Sequence, residues 1–270
     1  MWRLGVSSRV LWDLETGEAL ELASELGYTH FELWAEWPRA WPRAMGEGDR
    51  ERIASEMEGL GLSCSVHATF RDLNLASPNP AVREESVRQA IESIELAADL
   101  GARVAVVHPG RMASSRDDPR EAWSLLADSL SRVAEAAERL GVVIAVENME
   151  DRPREIVRLP SDLLRLIEEV GSRSLAVTLD ASHAGTVGDP IEFVRELGGV
   201  VAHVHVSDYS GGRSHLPLGE GSLDLPGFLS ALAEVGYSGA VVVEGYVPGR
   251  SREVAARSLE IFFRALSSIL

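Results

Sequence analysis

Six of the seven histidines and several carboxylates stand just behind short runs rich in valine, alanine or leucine. In chain order these are Ser65-Val66-His67, Val106-Val107-His108, Ala145-Val146-Glu147-Asn148 and Thr178-Leu179-Asp180-Ala181-Ser182-His183. His203-Val204-His205-Val206-Ser207-Asp208 and Val242-Val243-Glu244 complete the series, with His215 a little past the seventh run and only His30 outside the pattern. Carboxylates gathered at one place repel one another and lose hydration, so a positive charge is expected among them. Lysine cannot supply it, because all 26 basic residues are arginine. A divalent cation is the natural candidate. Glu147, Asp180, His205 and Glu244 form a mixed oxygen and nitrogen set, which suits Mn²⁺, Mg²⁺, Co²⁺ or Fe²⁺ at least as well as Zn²⁺. The bland alternative is a hydrogen-bonded ionic network, and six occurrences in register speak against it.

The missing lysine also excludes Schiff-base aldolases, pyridoxal phosphate enzymes and phosphate loops of the Walker type. The formal net charge of −16 disfavours nucleic acid as a partner, although a local arginine patch could override the average. The composition, 45% hydrophobic and 25% charged, is that of a globular protein. No apolar run reaches the roughly 20 residues that span a bilayer. The first residues show no signal-peptide pattern, and the single cysteine, Cys64, forms no internal disulfide. A cytoplasmic protein is expected.

Positioning these side chains requires a regular scaffold. The spacing predicts strands at Arg3–Ser8, His30–Ala35, Ser63–Thr69, Arg103–Pro109, Val142–Met149, Leu175–Ala181, Val200–Asp208 and Ala240–Tyr246. Each is followed by a helical segment: Thr16–Leu26, Asp49–Leu60, Pro80–Leu100, Pro119–Leu140, Ser161–Val170, Pro190–Leu197, Pro226–Val235 and Arg252–Ile269. Pairs such as Asn79-Pro80 and Asp189-Pro190 open helices, and a Leu-Gly ending recurs at their close. Eight alternating units and no visible linker predict a single α/β domain over 1–270, a (β/α)8 TIM barrel. The rival, a doubly wound open sheet, normally carries a glycine-rich turn after its first strand; here that turn reads Ser7-Ser8-Arg9-Val10-Leu11-Trp12. Catalytic groups of such barrels sit at the carboxyl ends of the strands. Strand alternation places His203 with His205, Ala145 with Glu147, and Val242 with Glu244 on inner faces.

On these motifs the chain resembles the xylose isomerase-like barrel superfamily, which includes sugar isomerases, ketose epimerases, inosose dehydratases and abasic-site endonucleases. The specific parts are Val107-His108-Pro109-Gly110, Val146-Glu147-Asn148, Leu179-Asp180-Ala181-Ser182-His183-Ala184, His205-Val206-Ser207-Asp208 with Leu218-Gly219-Glu220-Gly221, and Val243-Glu244. The ketose-epimerase likeness implies one metal on Glu147, Asp180, His205 and Glu244. It also implies that Glu147 and Glu244 move a proton, one on each face of a sugar, through an enediolate. His183 and an arginine after strand seven, here Arg213, would contact substrate oxygens. The endonucleases imply a three-zinc cluster, matched by His67, His108, Glu147, Asp180, His183, His205, His215 and Glu244. They carry Asp-x-His where this chain has Arg213-Ser214-His215, and an arginine there should disfavour the third zinc. The resemblance therefore implies a metal-dependent isomerase or epimerase of a small sugar, with a nuclease or an inosose-type dehydratase as the alternative. Whether the proton returns to the same or the neighbouring carbon stays open, as does dehydration.

Other residues have more than one reading. His67 and His108 are substrate-binding groups or ligands of a second metal. His215 joins the substrate-binding candidates. His203 is expected as a packed inner-layer residue, Cys64 as core packing, and Glu32 as a pocket group or a structural salt link. Trp34-Ala35-Glu36-Trp37-Pro38-Arg39-Ala40-Trp41-Pro42-Arg43 holds three of the six tryptophans and reads as a lid or as a contact in a homo-oligomer. A sugar-binding barrel without catalysis is the non-enzyme reading; it would be expected to lack one of the two glutamates.

Overall fold

The computed structural model describes residues 2–36 and 38–269. Trp37, one of the loop tryptophans above, lies outside the described residues. The elements run β1 (Arg3–Ser7), α1 (Thr16–Leu26), β2 (His30–Trp34), α2 (Glu47–Gly59), β3 (Ser63–His67), α3 (Pro80–Asp99), β4 (Val104–Val107) and α4 (Pro119–Leu140). They continue with β5 (Val143–Glu147), α5 (Pro160–Val170), β6 (Leu175–Asp180), α6 (Ala181–Val187), α7 (Pro190–Leu197) and β7 (Val201–Val206). Last come β8 (Asp208–Ser210), β9 (Arg213–Leu216), α8 (Leu225–Glu234), β10 (Ala240–Val243) and α9 (Ser251–Ser267).

Eight parallel strands close into a barrel in the order β1-β10-β7-β6-β5-β4-β3-β2. β1 completes the ring by pairing with β10 on one side and β2 on the other. An open, doubly wound sheet would leave β1 or another strand with a free edge, so closure removes that rival. Outward residues Val66, Val107, Val146, Val204, Val206, Val241 and Val243 are buried beneath the helices. The helices start where proline and a capping side chain coincide: the Asn79 side chain accepts from Ala81 N, and the Asp118 side chain from Arg120 N. Gly141 ends α4 in the left-handed region at φ 68°, where a side chain would be strained.

Two features lie outside the eight-unit reading. α6 has no loop before it, because Asp180 both ends β6 and caps the helix, its side chain accepting from His183 N. With no Gly or Pro punctuation, the strand pattern hides the helix. The second feature is an antiparallel hairpin, β8 with β9, in which Ser210 opposes Arg213. Gly211 and Gly212 make its tight turn with φ 55° and 77°, backbone values that glycine adopts freely. The Asp208 carboxylate then accepts from Gly219 N at 2.9 Å and Leu223 N at 2.8 Å, tying the following loop to the barrel mouth.

Candidate metal centre and active site

Four strands deliver four ligand atoms to one point. Glu147 ends β5, Asp180 ends β6, His205 lies on the inner face of β7, and Glu244 follows β10. The register sets Asp180 beside His205 and His205 beside Val242, so the three neighbouring strands present these groups at matched height. One ligand atom from each of the four lies within 4.8 Å of the others, and all four residues are buried. His205 Nδ1 is 2.9 Å from Glu147 Oε1, 3.3 Å from Glu244 Oε2 and 3.9 Å from Asp180 Oδ2. Glu147 Oε2, Asp180 Oδ2 and Glu244 Oε2 are buried without a hydrogen-bond partner. Two of these orphaned oxygens, Asp180 Oδ2 and Glu244 Oε2, face His205 Nδ1, and buried carboxylates crowded in this way are costly unless a cation joins them, so the donor set fits a divalent ion.

The protonation of these groups reflects the crowding. Burial, with help from the Glu147 and Asp180 charges, raises Glu244 to about 7 against the pull of His205 and Arg9. Burial acts on Glu147 in the same sense, yet His205, His108 and His67 outweigh it and hold this carboxyl well below the usual range. His205 shows the converse. Burial disfavours its cation, but the Glu244, Glu32 and Glu147 carboxylates lift it well above the ordinary imidazole value.

Beneath the cage a hydrogen-bonded chain orients His205. Its Nε2 faces the Glu32 carboxylate, 3.0 Å from Oε1 and 3.1 Å from Oε2. Glu32 Oε2 also meets His203 Nε2 at 2.8 Å and accepts from Ser65 Oγ at 3.1 Å, and Ser65 Oγ in turn meets His30 Nε2 at 2.9 Å. An Nε2–H donated to Glu32 leaves the Nδ1 lone pair aimed at the ligand point. Glu32 is thus a positioning residue, and His203 packs in the inner layer as its second partner. Cys64 is partly buried against the apolar core, on the strand face opposite Ser65 and His67.

The β5 and β6 ends are locked together. Asp180 N donates to Asn148 Oδ1 at 2.8 Å, and Asn148 Nδ2 donates to the Asp180 carbonyl at 3.1 Å. Asp180 Oδ1 accepts from His183 N and from Ser182 Oγ, each at 2.8 Å. His215 N reaches the same Ser182 Oγ at 3.3 Å. One carboxylate oxygen therefore anchors α6 and the hairpin while the other stays free for the ligand point. His215 is held in the left-handed region, φ 58°, a conformation rare for a non-glycine residue.

Two further groups flank the cage. His108 Nε2 and His67 Nε2 approach Glu147 Oε2 at 3.0 and 3.6 Å, and these three residues can also gather around one ion. On the other side His183 Nε2 lies 2.9 Å from His215 Nε2 and 3.6 Å from Glu150 Oε1. Despite burial, Asp180, Glu147 and Glu150 raise His183 to about 9. Burial and the nearby Arg9 and His183 push His215 well below the usual value. The His183 cation can thus donate to His215.

Above the cage opens a cavity of about 430 Å³. Glu147 and Glu244 line it, together with His108, His183 and His215. Asp180, His205 and His67 are not among its lining residues and sit behind that surface. Phe70 stacks on His108 at 4.2 Å between ring centres, and Trp34 lies 4.8 Å from His67, giving the cavity an apolar wall.

The structure brings together every site residue named from the sequence except Arg213. That residue is exposed and lies outside the cavity lining, because the two-glycine turn puts it at the solvent end of the hairpin. The arginine whose charge acts on Glu244 comes instead from the loop after β1, Arg9. Glu150 was not singled out either, although it stands three residues beyond Glu147. It supplies a carboxylate beside His183 and His215, so the arginine at position 213 does not deprive that cluster of an acid. The tryptophan-rich loop divides. Trp34 is buried in the cavity wall, whereas Trp41 is not among the lining residues and its Nε1 donates to Gln89 Oε1 on α3 at 3.4 Å. Among the described residues, no helix is long and apolar enough to cross a membrane.

Comparisons with known proteins agree with this architecture. The chain is 35% identical over 73% of its length to the uncharacterized protein MJ1311 of Methanocaldococcus jannaschii, covering 70% of it. It is 26% identical to the L-ribulose 3-epimerase of Mesorhizobium japonicum, over 91% of this chain and 82% of that one. A solved D-tagatose 3-epimerase-like protein superposes with a TM-score of 0.89 at 29% identity, over 99% of this chain and 98% of the other. The probable endonuclease 4 of Mycobacterium leprae is 27% identical over 81% of this chain and 85% of its own length. Residues 20–266 match the family model for the xylose isomerase-like TIM barrel, and the chain belongs to that family.

Proposed function

We propose that this protein is a divalent-metal-dependent epimerase or isomerase of a small sugar or sugar derivative. The observation that carries this reading is the pair Glu147 and Glu244, each contributing to the ligand cage and each lining the cavity, while Asp180 and His205 stay behind. Glu147, Asp180, His205 and Glu244 would hold one ion, Mn²⁺, Mg²⁺, Co²⁺ or Zn²⁺. Bound there, it would supply Lewis acidity toward a substrate carbonyl and its neighbouring hydroxyl.

The protein's own groups do the rest. Glu147 and Glu244 come from strands separated around the ring by β6 and β7, so they approach the cavity from different sides. One takes the proton from the carbon next to the carbonyl, and the resulting enediolate receives a proton from the other. Inversion at the same carbon is epimerisation; delivery to the neighbouring carbon is isomerisation. His215, whose Nδ1 has no hydrogen-bond partner among the described residues, offers a hydrogen bond to a substrate oxygen, His183 holds the His215 ring through Nε2, and Trp34 and Phe70 cover the apolar side of a ring. The match to an L-ribulose 3-epimerase and the fold shared with a D-tagatose 3-epimerase-like protein support sugar chemistry.

A second reading rests on the two flanking groups, His67–His108–Glu147 and Glu150–His183–His215, each able to gather around an ion. Three metals would resemble the implied nuclease cluster, and the match to a probable endonuclease 4 fits it. The acidic balance of −16 opposes a DNA partner. The test is a panel of ketoses, aldoses and hydroxypyruvate with added Mn²⁺, run beside an abasic-site duplex and elemental analysis. Turnover of a sugar with about one metal per chain supports the first reading. Nicking of the duplex with three zincs and no sugar turnover reverses it.

A further inference from the structure

Two arginines in the cavity form no ion pair among the described residues. Arg9, in the loop after β1, places its guanidinium carbon 5.4 Å from the Trp34 ring centre. Arg71, in the loop after β3, stands 5.7 Å from the same ring and 5.0 Å from Trp12. Both line the cavity. Among the described residues neither guanidinium makes a salt bridge or a side-chain hydrogen bond, whereas Arg152 Nη2 lies 2.9 Å from Glu150 and the Arg111 charge acts on the Glu155 carboxyl. Beneath the pair, Trp34 Nε1 is buried with no hydrogen-bond partner among the described residues.

The arrangement is asymmetric. Arg152 has an acid beside it, whereas Arg9 and Arg71 share one aromatic ring, and two like charges around it repel. Aromatic faces hold guanidinium groups in place without consuming their N–H donors, which remain available to a ligand. Arg9 and Arg71 line the same cavity as Glu147, His215 and Glu244. A negative group bound to them would therefore share that cavity with the reacting end of the substrate. Neutral hydroxyls need donors and acceptors, but nothing about them calls for two unpaired cations.

We propose that the substrate carries an anionic group, a carboxylate or a phosphoryl, held by the Arg9 and Arg71 guanidinium groups that Trp34 positions. The proposal rests on the sugar epimerase reading for the reacting end of the molecule and names the class of its other end: a sugar acid or a sugar phosphate rather than a neutral ketose.

The experiment compares each ketose with its terminal phosphate and with the corresponding keto-acid on Mn²⁺-loaded protein. It uses the parent, Arg9→Gln, Arg71→Gln, the double variant, and Arg120→Gln, which removes the same charge from the surface of α4. The parent is expected to prefer one anionic form, and the phosphate and acid arms show which. Each cavity variant should lower the anionic-to-neutral ratio of kcat/KM by about 10- to 100-fold, with Arg120→Gln leaving it unchanged. In parallel, calorimetry with inorganic phosphate and with gluconate should show at least about tenfold weaker binding to the double variant than to the parent. Turnover of neutral ketoses at equal or better kcat/KM, with a ratio the variants do not move, overturns the anionic substrate and leaves the epimerase reading standing. No turnover of any carbohydrate, with anion binding still lost in the double variant, sinks the epimerase reading and keeps the anion site. Equal anion affinity in the parent and the double variant overturns the anion site whatever the sugars do.

Discussion

Replacing Glu32 by glutamine perturbs the metal centre without touching the ligand cage. The side chain is completely buried, and its carboxylate meets His203 at 2.8 Å, His205 at 3.0 Å and Ser65 at 3.1 Å. Glutamine keeps the volume and one acceptor oxygen but removes the negative charge that His205 Nε2–H faces. A charge-assisted hydrogen bond becomes a neutral one about half as strong, and the imidazole becomes a poorer donor at Nδ1. Changes of this kind cost metal sites about 10- to 100-fold in affinity, or about 1.4–2.7 kcal/mol. The assay is Mn²⁺ competition against a fluorescent chelator, with thermal melting to check that the fold is retained. The dissociation constant should rise by that factor, and kcat measured at saturating Mn²⁺ should recover more than kcat at limiting Mn²⁺. An intact fold with a dissociation constant within twofold of the parent would refute the orienting role and leave Glu32 as a structural anchor.

Other outcomes follow from the same geometry. Glu244→Gln keeps one ligand oxygen but cannot exchange a proton, so kcat should fall by about 100- to 10,000-fold in the sugar assay; turnover equal to the parent removes Glu244 from the mechanism. Metal uptake should tighten as pH rises from about 6 to 8. Glu244, raised to about 7, keeps its proton below that value, and His205, raised well above the ordinary range, keeps its own still higher. Binding must displace both protons, costing up to about tenfold in affinity per pH unit for each. Calorimetry in buffers of different ionisation enthalpy counts the protons released, and a pH-independent affinity contradicts the assignment. Asp208→Ala strips the acceptor from the N–H groups of Tyr209, Gly219 and Leu223. It should lower stability by about 2–4 kcal/mol in urea titrations, and a loss below 1 kcal/mol shows that the loop re-pairs elsewhere.

The parts of the site borne on strands were legible because two periodicities coincide. A residue on an inner face repeats every second position, and the carboxyl ends of all barrel strands point to one mouth. Val146-Glu147, Leu179-Asp180, Val204-His205 and Val243-Glu244 each show an apolar outward residue next to a polar inward one, so the convergence could be read without coordinates. Loop-borne groups follow no such period. Arg213 was named through the resemblance, as the arginine after strand seven, and the Gly211-Gly212 turn reversed the chain before it could face the cavity. Arg9 and Arg71 come from loops after different strands and meet at the Trp34 ring, a pairing that spacing does not encode. Glu150 sits three residues past Glu147, beyond the strand, where alternation no longer says which way a side chain points. α6 escaped notice for a related reason: Asp180 serves as strand end, helix cap and ligand at once, so no punctuation separates the two elements.

The inner layer of this barrel is polar where barrels are usually filled by branched apolar side chains. Glu32, Ser65, His203, His205 and His30 occupy the axis, while the apolar burial that holds the fold lies outside the ring, between strands and helices. By that division the buried Glu32–His203 pair serves the metal and not the stability. Charged pairs taken out of water gain little over well-packed apolar groups of similar size, and replacing both partners is often neutral or favourable by about 1–4 kcal/mol. The double variant Glu32→Leu with His203→Leu should therefore unfold, without metal, at or above the parent's urea midpoint. It should bind Mn²⁺ at least about tenfold more weakly, because His205 Nε2 has lost its acceptor. Glu32→Leu alone should be worse for stability than the double variant, since it strands His203 beside His205 with no acid between them. A metal-free double variant destabilised by more than about 3 kcal/mol, the penalty typical of breaking a needed buried pair, would place the axis network among the groups that hold the barrel closed.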